Sequence, residues 1–154
     1  MSTSPAPGGP AAGGAAIGVG PVRRDPVTAE FFDAAARGVF LIRRCGRCQT
    51  ATEPQARACP ACGSPELSSE PASGGARVIS WSVTHGWPGG DDPVATVLVI
   101  AELDEGPWWW SQLVDADPGA VHEGQRLRID FARSGEPDSE SVPVFRAQAT
   151  APAD

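Results

Sequence analysis

The sequence predicts a mainly β chain with an N-terminal helix, a small cysteine-rich ribbon and a five-stranded barrel. All four cysteines lie in two C-x2-C pairs within residues 45–62. The following 75 or so residues contain five short runs with the alternation typical of strands, separated by turns. Because no long helical pattern interrupts these runs, they favour a small closed or partly open barrel, with the OB-fold as leading candidate.

The amino-acid composition and net charge of the chain exclude some classes of function. It has 154 residues, a net charge of −7 and 41% hydrophobic residues, which allows a core, and its 18 Gly and 16 Pro indicate many turns. Lysine is absent, so Schiff-base and P-loop lysine chemistry are excluded. The acidic balance argues against a chain that coats nucleic acid or an anionic membrane.

Residues 1–22 are rich in Ala, Gly and Pro and offer almost nothing to bury, so they are expected to form a disordered tail. Residues 150–154 form a second short tail. The first twenty residues lack the basic and apolar regions of a signal peptide, and no apolar run approaches the roughly 20 residues of a membrane span. We therefore expect a cytoplasmic protein with reduced thiols.

A short helix is predicted within residues 25–40. Thr28 is a suitable N-cap and Gly38 a suitable residue just past the helix end. Phe31 and Phe32 give this helix an apolar face. That face either covers the protein's own core or docks a partner, and the sequence leaves both interpretations open.

The four cysteines predict a metal site. Cys45 and Cys48 are followed, after ten residues, by Cys59 and Cys62, so two knuckles present four thiolates to one Zn²⁺. A redox motif would favour a single C-x2-C beside a βαβ unit, and disulfides are disfavoured in a reducing compartment. We therefore predict a rubredoxin-like zinc ribbon over residues 41–70 that binds one structural Zn²⁺ per chain. Four protein ligands would leave no coordination position for a substrate.

Residues 72–149 are predicted to form the barrel. In the first strand, Ile79, Trp81 and Val83 are expected on one face, with Val78 on the other. Residues 94–104 are predicted to form a central strand, followed by strands at 108–114, 126–131 and 142–147.

Three consecutive tryptophans fall on one of these strands. Since side chains alternate, either Trp109 or the pair Trp108 and Trp110 must face outward. Exposed aromatics are enriched in interfaces, so the candidate partner interface comprises Phe31, Phe32 and residues 108–110.

Charge is unevenly distributed. Residues 37–57 contain five arginines and one acid, a net charge of +4, whereas residues 71–149 contain five arginines and twelve acids, a net charge of −7. A nucleic-acid OB-fold normally presents a basic, aromatic face. The basic ribbon instead suits a few phosphates, as on coenzyme A, or an acidic partner. The candidate contacts are Arg43, Arg44, Arg47 and Arg57, and the alternative is that these arginines only solvate a small module.

The order of motifs resembles a known family. The strings "FFDAAARG", "VFLIRRCGRC", "CPACGS", "SGGARVISWSVTH" and "IAELDEGP" follow one another as they do in the acyl-CoA-associated zinc-ribbon/OB-fold family, catalogued as domain of unknown function thirty-five. The resemblance covers about residues 25–147. The chain departs from the family pattern at its three tryptophans and in the loop at 85–92.

The resemblance implies an accessory subunit that binds a thiolase, a lipid-transfer-protein-type aldolase or a hotdog-fold hydratase and helps to form its acyl-CoA site. The implied setting is steroid side-chain or lipid catabolism. The residues also favour a chain that is not catalytic alone, because all four thiols are assigned to metal. His85 and His122 are expected at the surface, and Glu102, Asp104 and Glu105 are expected to be solvated turn carboxylates. The alternative function is a zinc-ribbon/OB-fold nucleic-acid-binding protein.

Overall fold

The computed structural model describes residues 22–86, 94–133 and 138–148. The predicted N-terminal tail, 1–22, lies outside these ranges except for its last residue. The predicted tail at 150–154 and most of the loop at 85–92 also lie outside them. The elements are α1 (Ala29–Ala36), β1 (Leu41–Cys45), β2 (Ala51–Thr52), β3 (Leu67–Pro71), β4 (Gly75–Gly86), β5 (Val94–Leu103), β6 (Trp108–Leu113), a 3-10 turn (Pro118–Ala120), β7 (Arg126–Ala132) and β8 (Val142–Ala147). No helix in the described ranges is long and apolar enough to cross a membrane.

Helix α1 is only eight residues long, shorter than the segment assigned to it from sequence. Thr28 occupies the N-cap position, but its side chain makes no capping bond. Instead, the Thr28 hydroxyl accepts a hydrogen bond from the Asp25 N–H at 2.9 Å. Gly38 ends the helix as expected, since its φ of +77° is the left-handed conformation that glycine adopts readily. Its N–H donates to the Ala35 carbonyl at 3.0 Å.

The segment before α1 is attached to the chain that leads into β8. The Glu140 N–H donates to the Val22 carbonyl at 2.8 Å. Arg24 forms an ion pair with Glu140 at 2.6 Å and a second with Asp33 of the helix. These contacts fix α1 beside the barrel.

The ribbon contains a three-stranded antiparallel sheet in the order β2-β1-β3. The other five strands form a closed barrel in the order β4-β5-β6-β8-β7, with β7 pairing back to β4. All pairs in the barrel are antiparallel except β6 and β8. The predicted mainly β fold with a five-stranded barrel is therefore confirmed.

One expectation about β4 is wrong. Val78 was placed on the face opposite Trp81, yet Val78 pairs with Ala101 and Trp81 with Val99, two residues of β5 whose side chains share its buried face. The pairing register with β5 shifts between Val78 and Ser80, so that Ile79 forms a β-bulge. A bulge inserts one residue and reverses the alternation beyond it, which brings Val78 and Trp81 to the same face.

Ribbon and barrel share one hydrophobic core. Phe40 and Ile42, at the start of the ribbon, are buried in the same cluster as Val99, Leu127 and Phe145 of the barrel. The zinc ribbon and the barrel are therefore packed together through the strand that ends at the first cysteine.

Candidate metal centre and groove

The four cysteine sulfurs form a compact cluster. The Sγ atoms of Cys45, Cys48, Cys59 and Cys62 all lie within 4.8 Å of one another. The Cys45–Cys62 and Cys48–Cys59 Sγ–Sγ distances are 3.6 and 3.5 Å. A tetrahedral site with Zn–S bonds of about 2.3 Å places its sulfurs about 3.8 Å apart, so this cluster fits one Zn²⁺.

Backbone bonds shape both knuckles. In the first, the Arg47 and Cys48 N–H groups donate to Cys45 Sγ at 3.4 and 3.5 Å. Gln49, which follows this knuckle, has the left-handed backbone conformation, with φ of +65°. After the second knuckle, Gly63 has the same left-handed conformation, with φ of +77°.

Hydrogen bonding prepares two thiols as ligands. The Cys48 N–H, followed by the Arg47 N–H, lowers the pKa of Cys45. The Thr50 hydroxyl and N–H lower the pKa of Cys48 to about 6. At Cys62, a bond from the Ser64 N–H favours the thiolate, but desolvation and the neighbouring thiols outweigh it and raise the pKa to about 11. Four thiolates this close therefore require a cation between them.

A groove lies where helix, ribbon and barrel meet. Its volume is about 510 Å³, within the range of ligand-binding clefts. We call it the helix–ribbon–barrel groove. Its lining is mostly apolar and comprises Val27, Thr28, Phe31, Phe32, Arg43, Pro54, Gln55, Ala56, Arg57, Trp109, Trp110, Ser111, Val142 and Pro143.

The four candidate arginines are not equivalent. Arg43 and Arg57 line the groove, and neither forms an ion pair within the described ranges. The guanidinium of Arg44 instead bonds Glu70 at 2.6 Å and the Gln49 carbonyl at 2.7 Å, so it is already engaged within the ribbon. Arg47 is exposed on the first knuckle and does not line the groove.

The aromatic residues form a cluster between helix and barrel. Trp109 packs edge-on against Phe40, with ring centroids 5.0 Å apart, and lies 6.0 Å from Phe31. Phe31 also contacts Phe40 at 5.5 Å, and Phe32 is buried. The apolar face of α1 thus covers the protein's own core, although both of its phenylalanines also line the groove.

The other two tryptophans face solvent. Trp108 is 56% exposed and Trp110 67% exposed. Ile100 lies opposite Trp110 on β5, on the same side of the sheet, and is also exposed. We call Trp108, Trp110 and Ile100 the outer tryptophan face. Sequence alone left open which tryptophans face outward, and the structure selects this pair.

The role of the carboxylates around the β5–β6 turn was not predicted from the sequence. Glu102 accepts hydrogen bonds from Arg77 at 2.8 Å and from the indole N–H of Trp108 at 3.2 Å, and these two contacts, Arg77 first, lower its pKa. One oxygen of Glu105 accepts from the Ser73 N–H at 2.6 Å, while the other is buried without a partner among the described residues. These side chains hold the turn and the strand entry together, rather than being only solvated.

Sequence models of two protein domains match the chain in succession. The zinc-ribbon model, described as "ChsH2, rubredoxin-like zinc ribbon domain", matches residues 32–68. The model described as "ChsH2, C-terminal OB-fold domain" matches residues 69–132. Together they cover the metal centre and most of the barrel.

Two curated proteins are similar in sequence. The chain is 32% identical over 126 residues to a probable enoyl-CoA hydratase alpha subunit of Thermomonospora curvata, covering 81% of this chain and 38% of that protein. It is 28% identical over 93 residues to a DUF35 domain-containing scaffold protein of Pyrococcus furiosus, covering 60% of this chain and 68% of that protein. The chain therefore spans well under half of the hydratase subunit.

Two solved structures have a similar fold. A chain of the Ltp2-ChsH2(DUF35) aldolase superposes with a TM-score of 0.68 at 30% identity, covering 80% of this chain and 96% of that one. A DUF35 protein of unknown function from Sulfolobus solfataricus superposes with a TM-score of 0.56 at 12% identity, covering 80% and 86%, and shows the same fold alone. The chain belongs to the ChsH2 (DUF35) family of zinc-ribbon and OB-fold proteins.

Proposed function

We propose that this chain is an accessory subunit, not catalytic alone, that binds an enzyme and helps to form its acyl-CoA site. The enzyme would be a thiolase-like protein, a lipid-transfer-protein-type aldolase or a hotdog-fold hydratase. The names of the relatives support this proposal, since they describe an aldolase assembly, a hydratase subunit and a scaffold protein. The setting we propose is steroid side-chain or lipid catabolism in the cytoplasm, where thiols remain reduced and available to zinc.

The outer tryptophan face is the observation that carries the proposal. Two large aromatic side chains lie next to each other on one face of β6, with Ile100 beside them on β5. Exposed aromatic clusters are uncommon on monomers and are typical of interface cores. A partner that covers Trp108 and Trp110 would remove this apolar area from water, which is the main favourable term in association.

The metal centre supports a structural rather than a catalytic role. Four cysteine ligands complete a tetrahedral zinc shell, so a zinc ion held there has no open position for water or a thioester. The groove, by contrast, is mostly apolar and is lined by the guanidinium groups of Arg43 and Arg57, which form no ion pair within the described ranges. These groups suit phosphates of coenzyme A or carboxylates of the partner. We propose a lesser role for Arg44 because its charge is already neutralised by Glu70.

Co-purification tests the proposal. The chain is expressed alone and together with a candidate thiolase-like partner from the same organism, and the two are expected to elute as one complex. Trp108→Ala is expected to weaken association by about 2 kcal/mol, roughly thirtyfold in Kd, because removing an aromatic anchor leaves its pocket on the partner empty. The Kd is measured by biolayer interferometry.

The matched control is Trp81→Ala, which removes the same side chain from the opposite side of the sheet. This variant is expected to bind the partner as the unsubstituted chain does. Separate elution of the two proteins at micromolar concentration would count against the proposal, as would equal effects of the two substitutions.

A further inference from the structure

Strands β6 and β8 close the barrel through few backbone bonds. Among the described residues, their one paired position is Leu113 opposite Phe145, supported by a bond from the Val114 N–H to the Phe145 carbonyl at 2.9 Å. Closer to the start of β6, the link between the strands is a side chain, since the Ser111 hydroxyl donates to the Pro143 carbonyl at 2.5 Å. In the part of the chain that the structure describes, residues 108–111 of β6 have no backbone pairing with β8.

The helix–ribbon–barrel groove is lined by residues of both strands in this part of the barrel. Trp109, Trp110 and Ser111 line it from β6, and Val142 and Pro143 line it from β8. A strand with one unpaired edge is a template for a further strand, because the backbone of an added segment continues the sheet. The groove therefore combines an apolar cleft with an open strand edge.

Two positive charges border the same cleft. Arg43 and Arg57 enter it from the ribbon and have no carboxylate partner in the described part of the chain. Five other arginines are paired with acids, namely Arg24, Arg44, Arg77, Arg126 and Arg146. The remaining five form no ion pair within the described ranges but do not line the groove, namely Arg23, Arg37, Arg47, Arg128 and Arg133. On a chain with net charge −7, two free guanidinium groups beside an apolar cleft select an anionic occupant.

One further donor at the groove lacks an acceptor among the described residues. The indole N–H of Trp109, a residue that lines the groove, is buried and has no hydrogen-bond partner in that part of the chain. A buried unsatisfied donor costs free energy, which a carbonyl or carboxylate of an occupant would recover after a small adjustment of the ring. Trp109, Arg43 and Arg57 can therefore all donate to an occupant that carries acceptors.

We propose that this groove binds an extended, acidic segment of the partner polypeptide, which adds a strand to the open edge of β6 and places its carboxylates at Arg43 and Arg57. The alternating side chains of such a segment would fill the apolar cleft beside Phe31 and Trp110. Trp110 belongs to both the groove and the outer tryptophan face, so a partner docked on that face continues directly into the groove. An open strand edge favours a polypeptide over other anions, because only a backbone can extend the ladder.

This inference rests on the proposed function for the identity of the partner, but it is tested on the chain itself. A phage-displayed library of random 12-residue peptides is selected against the zinc-loaded full-length protein. Enriched peptides are expected to carry acidic residues together with alternating apolar ones. The tightest peptide is then synthesised with a fluorophore for Kd measurements.

Substitution of Arg43→Gln or Arg57→Gln is expected to weaken peptide binding about tenfold, as the loss of a charge-assisted bond requires. Arg128→Gln, an exposed arginine on β7 outside the groove, is expected to leave the Kd unchanged. Hydrogen exchange of the β6 amides that do not pair with β5 is expected to slow when the peptide binds. Side-chain docking without an added strand would not protect these amides.

Failure to select peptides that bind at the groove would overturn the inference, as would equal Kd values for the arginine variants or unprotected β6 amides. Two further outcomes distinguish failure of the groove inference from failure of the proposed function. If the partner co-elutes but the Arg43→Gln/Arg57→Gln double variant binds it normally, the accessory role stands and the groove inference falls. If peptides bind the groove but the thiolase-like protein does not co-elute with the chain, the groove is a peptide-binding site and the proposed accessory role falls.

Discussion

Gly75, at the start of β4, lies against an ion pair that joins the ends of three strands. Asp104, which follows β5, forms a two-pronged pair with Arg126 of β7, with distances of 2.9 and 3.0 Å. The Asp104 N–H also donates to the Gly75 carbonyl at 3.0 Å. A Cβ atom built on Gly75 would overlap the Asp104 carboxylate and crowd the Arg126 guanidinium. A side chain at this position would therefore displace the pair.

Gly75→Ala is expected to lower the free energy of unfolding by about 1 kcal/mol, measured by urea denaturation. The expected loss of stability is modest because the displaced Asp104 side chain is partly exposed. Ion pairs between partly exposed side chains contribute little to the free energy of unfolding. Gly86→Ala is the matched control, since a Cβ at that end of the same strand meets no atom of the described residues within 4 Å. In an Asp104→Ala background the cost of Gly75→Ala should disappear, and an undiminished cost there would contradict this explanation.

At the scale of elements, the zinc ribbon depends on four side chains held by two short turns. Cys45 and Cys59 are buried, whereas Cys48 and Cys62 are exposed, so the ion is held at the surface of the module. The described ribbon has only a three-stranded sheet, one strand of which has two residues. So small a sheet gains little from burial alone, and metal binding must supply much of its folding free energy.

The purified protein is expected to contain one Zn²⁺ per chain, and Cys59→Ser is expected to lose it. Loss of the ion should unfold residues 45–62, because binding free energy in such modules is folding free energy. Zinc is measured by mass spectrometry and folding by amide NMR, with Ser68→Ala on exposed β3 as the control. A stoichiometric disulfide with no bound metal would refute the metal assignment.

The elements could be predicted from sequence where a local pattern specifies them. The cysteine spacing fixed the ligand set, and the alternation of Leu127, Ile129 and Phe131 identified β7, since local spacing determines both. The bulge at Ile79 was not predicted from the sequence, because the shift in register is visible only in the pairing with β5. Local sequence does not report such a shift when both faces of a strand contain apolar residues.

The groove could not be predicted, although several of its residues were singled out. Phe31, Arg43 and Trp110 come from α1, β1 and β6, and only the packing of helix, ribbon and barrel brings them together. The sequence also grouped Arg43 with Arg44, whereas neighbouring residues on a strand point in opposite directions. Arg44 accordingly bonds Glu70, while Arg43 lines the groove.

At the scale of the whole molecule, the charge distribution argues against the nucleic-acid alternative. The exposed tryptophans lie on a barrel whose sequence, residues 71–149, has a net charge of −7. Nucleic-acid affinity depends mainly on neutralising phosphates with basic side chains. We therefore expect no measurable binding of a fluorescent single-stranded DNA or RNA 20-mer at about 0.15 M salt, measured by anisotropy. Salt-dependent micromolar binding that Trp110→Ala abolishes would favour the alternative instead.

The central claim is that this chain completes the acyl-CoA site of another enzyme, and the most direct test is the partner's turnover. The value of kcat/KM for an acyl-CoA substrate is measured for the candidate thiolase-like partner with and without one equivalent of this chain. We predict an increase of at least tenfold on addition, with the chain alone inactive. Equal kcat/KM values with and without the chain, together with no co-elution, would contradict the account.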